Sequence, residues 1–207
     1  MRKRLATAAA LGLLLIVAGV YLYQGREVVL PGGLRARPWY RWPSVRMVFE
    51  AQSLPGSASQ HPVVYELYWQ EPGRWFVQVI DSEDPDDIGT WRMYDGARAW
   101  PGGQRVRRLV PGPITQPTRA NAVATLVLEG KARQRGTETV LGVETQVVDI
   151  VWAEHDVERH WIDPLTGVVM VWEQWYRGER AGYMRVLEIE WNPDVPENLF
   201  DPPERRG

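Results

Sequence analysis

The sequence predicts a mainly β domain of antiparallel strands behind one apolar N-terminal segment. Three observations lead there. Residues 158–193 (ERHWIDPLTGVVMVWEQWYRGERAGYMRVLEIEWNP) read as three strands joined by two tight turns. In the first turn Asp163 and Pro164 start the reversal and Gly167 closes it in a left-handed conformation; RGERAG at 177–182 marks the second. Between the turns both parities are apolar, with Val168, Met170, Trp172 and Tyr176 on one and Val169, Val171 and Trp175 on the other. A strand apolar on both faces belongs at the centre of a covered sheet. The second observation is strict alternation over residues 45–51, 63–70 and 74–80, which places Val45, Met47, Phe49 and Ala51, then Val63, Tyr65, Leu67 and Trp69, then Trp75, Val77 and Val79 on one face of a meander. The third is the uncharged run LATAAALGLLLIVAGVYLY, residues 5–23, preceded by Arg2, Lys3 and Arg4.

That run is 19 residues long, and about 20 helical residues cross a bilayer core. It ends in tyrosines suited to the membrane interface, with no small-residue cleavage site after it, and the chain has no Cys for a lipid anchor. The reading is an uncleaved transmembrane helix over 1–23, a cleaved signal peptide being the alternative. The basic cluster at 2–4 sets the N-terminus inside, although Arg26, Arg35, Arg37 and Arg41 nearly balance it on the other side. The expected location is thus the cell membrane, crossed once, with residues 24–207 on the periplasmic or extracellular side.

Residues 24–43 read as a linker, where Pro31-Gly32-Gly33, Pro38 and Pro43 discourage regular structure. The β domain is expected over 44–203, with a short tail at 204–207. Beyond the anchor the chain has 21 Lys and Arg (24 − 3) against 26 Asp and Glu, a balance that speaks against a nucleic-acid partner. Zero cysteines exclude a disulfide framework and a thiolate metal site. The 11 tryptophans suit either a large core or a ligand cavity.

In chain order, residues 81–89 (DSEDPDDIG) form an acidic loop whose spacing matches no calcium loop, so a solvated hairpin tip is expected. Residues 90–95 and 97–100 are short strands, Pro101-Gly102-Gly103 a turn and 104–110 another strand. Residues 111–130 carry the one convincing helix outside the anchor. Ala120, Val123, Ala124, Val127 and Leu128 make a stripe, Thr115 or Thr118 caps it, Pro117 suits its first turn and Gly130 stops it. Strands resume over 131–152 with breaks at Gly136 and Gly142, a loop follows at 153–157, and a proline-rich acidic segment begins at Asp194.

No catalytic constellation emerges. His155 and His160 point to opposite faces of a strand, His61 is alone, PGSAS at 55–59 lacks the second glycine of a nucleophile elbow, and Glu188 and Glu190 read as the polar face opposite Leu187, Ile189 and Trp191. A non-enzyme without metal or cofactor is expected.

The order YWQEPGRWFVQV, Asp95-Gly96, a single helix, GTETVLGVETQVVDIVW, HWIDPLTGVVMVWEQW and LEIEWNPDVPENLFDPP resembles the LolA/LolB-like lipoprotein carrier fold family, and also the N-terminal domain of RseB/MucB-like sigma-factor regulators. The resemblance covers residues 44–203. It implies a curved, unclosed antiparallel sheet, a half-barrel, with one main helix on the concave face and an apolar cavity between them. Candidate cavity residues are Val45, Met47, Phe49, Tyr65, Leu67, Trp69, Trp75, Val77 and Val79 on the sheet, with Val123 and Val127 on the helix. The implied partners are a lipid or the acyl chains of a lipoprotein. A sensor or interaction module acting on a membrane-protein partner and a cell-wall glycan binder are the alternatives. Prolines in residues 33–43 stand where such carriers begin with an amphipathic helix, and a tethered domain cannot ferry cargo across a wide compartment.

Overall fold

The computed structural model describes residues 28–29, 35–36, 44–52, 61–70, 73–102, 126 and 129–201. Two short strands, β1 (Val28–Val29) and β2 (Arg35–Ala36), pair with each other. The other ten are β3 (Ser44–Gln52), β4 (Val63–Gln70), β5 (Arg74–Ser82), β6 (Trp91–Tyr94), β7 (Ala99–Gly102), β8 (Ala132–Val140), β9 (Val143–Ala153), β10 (Asp156–Ile162), β11 (Val169–Tyr176) and β12 (Glu179–Trp191). They form one ten-stranded sheet in the order β7-β6-β5-β4-β3-β12-β11-β10-β9-β8, in which each neighbouring pair is antiparallel.

Two meanders make this order. One runs outward from β3 to edge strand β7; the other starts at the opposite edge, β8, and runs inward to β12. Pairing of β12 with β3, Trp191 beside Val45 and Met184 beside Ala51, joins them. Strands β7 and β8 do not pair, so the sheet is mainly β, antiparallel and unclosed.

Turn chemistry sets the hairpins. Asp163 Oδ1 accepts from Leu165 N at 2.8 Å and its Oδ2 from the Thr166 hydroxyl at 2.6 Å, while Gly167, at φ 76°, donates to Asp163 O at 2.8 Å. Leu141-Gly142 and Arg177-Gly178 are two-residue turns with positive φ at both positions, the pair of angles that matches the twist of a hairpin.

Local expectations changed at five places. Residues 24–43 hold the paired β1 and β2, because neither two-residue strand contains a proline. Pro101 and Gly102 continue β7 and do not form a turn; β7 is the outermost of the described strands on its side, a position where proline is tolerated. Gly136 does not break β8: the register slips between Gln134 and Gly136, a bulge that its φ of 137° accommodates. The loop at 153–157 shrinks to Glu154-His155, since Ala153 and Asp156 pair. The acidic loop is not wholly solvated: residues 85–87 form a 3-10 turn capped by Asp84, and Asp87 is buried, where it accepts from Ser82 Oγ. The expected transmembrane helix at 1–23, the strand at 104–110 and nearly all of the helix at 111–130 lie outside the described residues, among which no helix is long and apolar enough to cross a membrane.

Candidate ligand-binding face

Because side chains alternate across a strand, the register sorts them onto two faces. The inner face carries the main core: Met47, Phe49, Ala51, Val63, Tyr65, Leu67, Val77, Val79, Met170, Met184 and Val186, flanked by Trp75, Trp172 and Ile189. Val45, Met47 and Phe49 stand opposite Trp69, Leu67 and Tyr65, which stand opposite Trp75, Val77 and Val79. The nine sheet residues expected to line one apolar face therefore do share one. Eight are buried and Trp75 is half-buried. The Phe49 and Tyr65 rings stack with centroids 5.0 Å apart. Burial, with the Asp87 carboxylate adding to it, raises the Tyr65 phenol above its ordinary pKa and keeps it protonated. Val123 and Val127 lie outside the described residues.

Across β12 the inner face changes character. Glu158 and His160 are two residues apart on β10 and so point the same way, and His160 faces Val148 on one side and Trp172 on the other. The His160 ring is 1% exposed, with Nε2 3.1 Å from Glu158 Oε2. Trp172 Nε1, also buried, has no acceptor among the described residues. From sequence, His160 is weighed only against His155 as a metal pair and Trp172 only as an apolar strand position, so nothing joins them to Glu158. The available signal was parity: Glu158 and His160 occupy inward positions of a strand whose neighbours there are apolar.

Among the described residues the outer face carries two apolar clusters. Beside β7, Phe76, Met93 and Phe200 pack with Trp91, Trp100, Val195 and Leu199, so the chain beyond β12 covers this end. Gly102 lies opposite Trp91, and a Cβ there would fall within the indole ring. Toward β8, Val147, Trp161 and Val171 cluster under charged side chains. Asp149 accepts from Arg135 Nε at 2.6 Å and Arg159 Nε at 2.7 Å, and Glu138 accepts from Trp161 Nε1 at 2.9 Å. Burial would raise the Asp149 carboxyl; the two guanidiniums outweigh it and hold it below the usual range. Between the clusters, Arg46 bridges Glu66 at 2.7 Å and Glu188 at 3.3 Å, which puts Glu188 and Glu190 on the polar face as expected. Glu50 accepts from the Tyr183 hydroxyl at 2.6 Å; burial first and this bond second push that phenol up to about 12. Among the described tryptophans Trp152 alone is exposed, at 52%, and a row of coplanar rings for stacking on sugars does not form from them.

Comparison with protein-family models and with curated protein sequences finds no match. Solved structures do match. MucB superposes at a TM-score of 0.58 with 13% identity, over 77% of this chain and 57% of MucB. The Pseudomonas aeruginosa MucA/MucB complex matches at 0.51 with 13% identity, over 77% and 55%. An uncharacterized conserved protein from Thermus thermophilus matches at 0.52 with 7% identity, over 77% and 84%. The chain spans a little over half the length of MucB. Over the matched region it has the MucB-like fold that its order of motifs implies.

Proposed function

We propose that this chain, folded as MucB is over the matched region, is a non-enzymatic binding domain that takes a lipid or the acyl part of a lipoprotein against its inner face. One observation carries the reading: three adjacent strands and β12 present a continuous apolar surface, Met47, Phe49, Leu67, Val77, Val79 and Val186 with aromatic Tyr65, Trp69 and Trp75 beside them, on a sheet left open between β7 and β8. An open sheet that curls with its native twist encloses such a surface without sealing it. In this reading the helix at 111–130 lies over the concavity, Val123 and Val127 complete the lining, and residues 1–23 anchor the domain outside the cytoplasm.

A second reading has its own support. MucB is seen bound to MucA, so a sensor or interaction module acting on a membrane-protein partner suits the same fold.

Titration of the full chain with a polarity-sensitive fluorescent fatty acyl probe tests the first reading. Saturable binding, displaced by unlabelled acyl lipid and accompanied by retained lipid mass in native mass spectrometry, is the expected result. A chain that takes up no probe and carries no lipid would leave the interaction module as the reading. Protease shaving of intact cells should release the domain and leave a small membrane fragment; full protection would reverse the orientation.

A further inference from the structure

One charged side chain interrupts the apolar surface at its β6 margin. In β6, Trp91 and Met93 pack with outward Phe76, whereas Arg92 and Tyr94 stand beside inward Val77 and Trp75. The Tyr94 ring stacks on Trp75 with centroids 6.2 Å apart, which fixes the parity. Among the described strands of the large sheet, Arg92 is the only Lys or Arg at an inward register position, and no Asp or Glu has one on β3–β7. Arg92 is half-buried, and among the described residues it has no carboxylate and no hydrogen-bond acceptor. Arg46 and Arg159, half-buried on the outer face, each hold a carboxylate at 2.7 Å. A guanidinium that gives up part of its water without gaining an anion is destabilised. Arg92 also heads a row: in register, Val77, Leu67, Met47 and Ile189 follow it across β5, β4, β3 and β12. Aromatic rings flank that row, Trp75 and Trp69 on one side, Tyr65 and Phe49 on the other. Four strand-to-strand steps of ~4.8 Å make the row about 19 Å long.

Resting on the lipid-binding reading, we propose that Arg92 is a head-group subsite and that the ligand is an anionic amphiphile. Its carboxylate or phosphate accepts from the Arg92 guanidinium, whose planar fork suits either oxyanion. Its acyl chain lies along Val77, Leu67 and Met47 toward Ile189, between the two rows of rings. The shared chemistry is an alkyl chain that ends in an oxyanion, supplied by a free fatty acid or by a lipid with a phosphate head. A neutral glyceride or an alcohol brings the chain without the charge.

Competition on the full chain against a fluorescent acyl probe with an uncharged head tests the subsite. The competitors share one chain length: a fatty acid, an alkyl phosphate, a fatty alcohol and an alkyl trimethylammonium. The two anions should compete best, and whichever is stronger identifies the source. Arg92→Gln keeps a polar side chain without the charge. It should weaken both anions by roughly tenfold, the usual scale of a hydrogen bond to a charged group, and leave the alcohol unchanged, which also shows that the variant is folded. Arg92→Lys should retain part of the anion preference, and Arg92→Glu should turn it toward the alkyl trimethylammonium. An alcohol that equals the anions in the wild type, or an Arg92→Gln effect equal for all four, overturns the subsite while lipid binding stands. Anions that bind Arg92→Gln as tightly as the wild type overturn it as well. A chain that binds neither the probe nor any competitor removes the lipid-binding reading and the subsite with it.

Discussion

The two ends of the sheet solve one problem differently. At the β7 end, outward Phe76, Met93, Trp91 and Trp100 are covered by chain, with Val195, Leu199 and Phe200 folding back over them. At the β8 end, outward Val147, Trp161 and Val171 are covered by their neighbours' long side chains, held in place by Asp149, Arg135, Arg159 and Glu138. Both leave an apolar cluster shielded from water. The first shield is apolar and indifferent to salt and pH, the second is electrostatic and sensitive to both. A long edge strand gains from the second kind: β8, charged and bulged at Gly136, is a poor template for another strand.

The contrast can be broken most sharply at the β7 end. Phe200→Ala should cost about 3 kcal/mol, the low end of the range for a buried Phe, because Phe200 is buried and also lies under the Arg74 guanidinium at 5.0 Å. Denaturant melts should show the same loss in low and high salt; a loss that vanished in salt would make this shield electrostatic too. Gly102→Ala, at the same end, should cost roughly 2 kcal/mol through overpacking, since the new methyl displaces the Trp91 ring. Retained stability with unchanged Trp91 fluorescence would mean that the indole does not lie on the glycine.

At the β8 end, Asp149→Ala should cost about 2 kcal/mol, less than the roughly 3–5 of wholly buried pairs, because Arg135 stays 61% exposed and keeps its hydration. High salt should shrink this difference, the opposite of the Phe200 result. The same carboxylate sets the acid limb. Its folded pKa lies below its unfolded value, so its contribution is complete above about pH 4 and is lost as pH falls through the depressed folded value. Acid melts should show the wild type losing stability there more steeply than Asp149→Ala; parallel curves would remove Asp149 from the account. The smallest effect belongs to Glu188→Gln, within about 0.5 kcal/mol, because its bond to Arg46 is mostly solvated and Glu66 holds the same guanidinium. A larger loss would extend the electrostatic shield to the middle of the sheet.

Much of this was legible in residue order. Asp163, Pro164 and Gly167 specify their turn within five residues, and the period-two runs at 45–51, 63–70 and 74–80 assign their faces by parity. Both are local: turn type depends on a few dihedral preferences, and alternation follows from the pleat. The apolar half of the candidate site was therefore readable residue by residue. Its polar half was not, because an inward Glu158 next to His160 resembles an ordinary solvated pair until Val148 and Trp172 are placed on either side. Parity also could not say that Pro101 and Gly102 continue an edge strand, or that the bulge at Gly136 lets β8 run on. Nor does any local pattern say that β12 pairs with β3, about 140 residues apart in the chain, or that Val195, Leu199 and Phe200 return to β5–β7. Those choices depend on which apolar surfaces remain uncovered once every hairpin has formed. They come from competition for burial across the whole sheet, and no stretch of sequence contains that competition by itself.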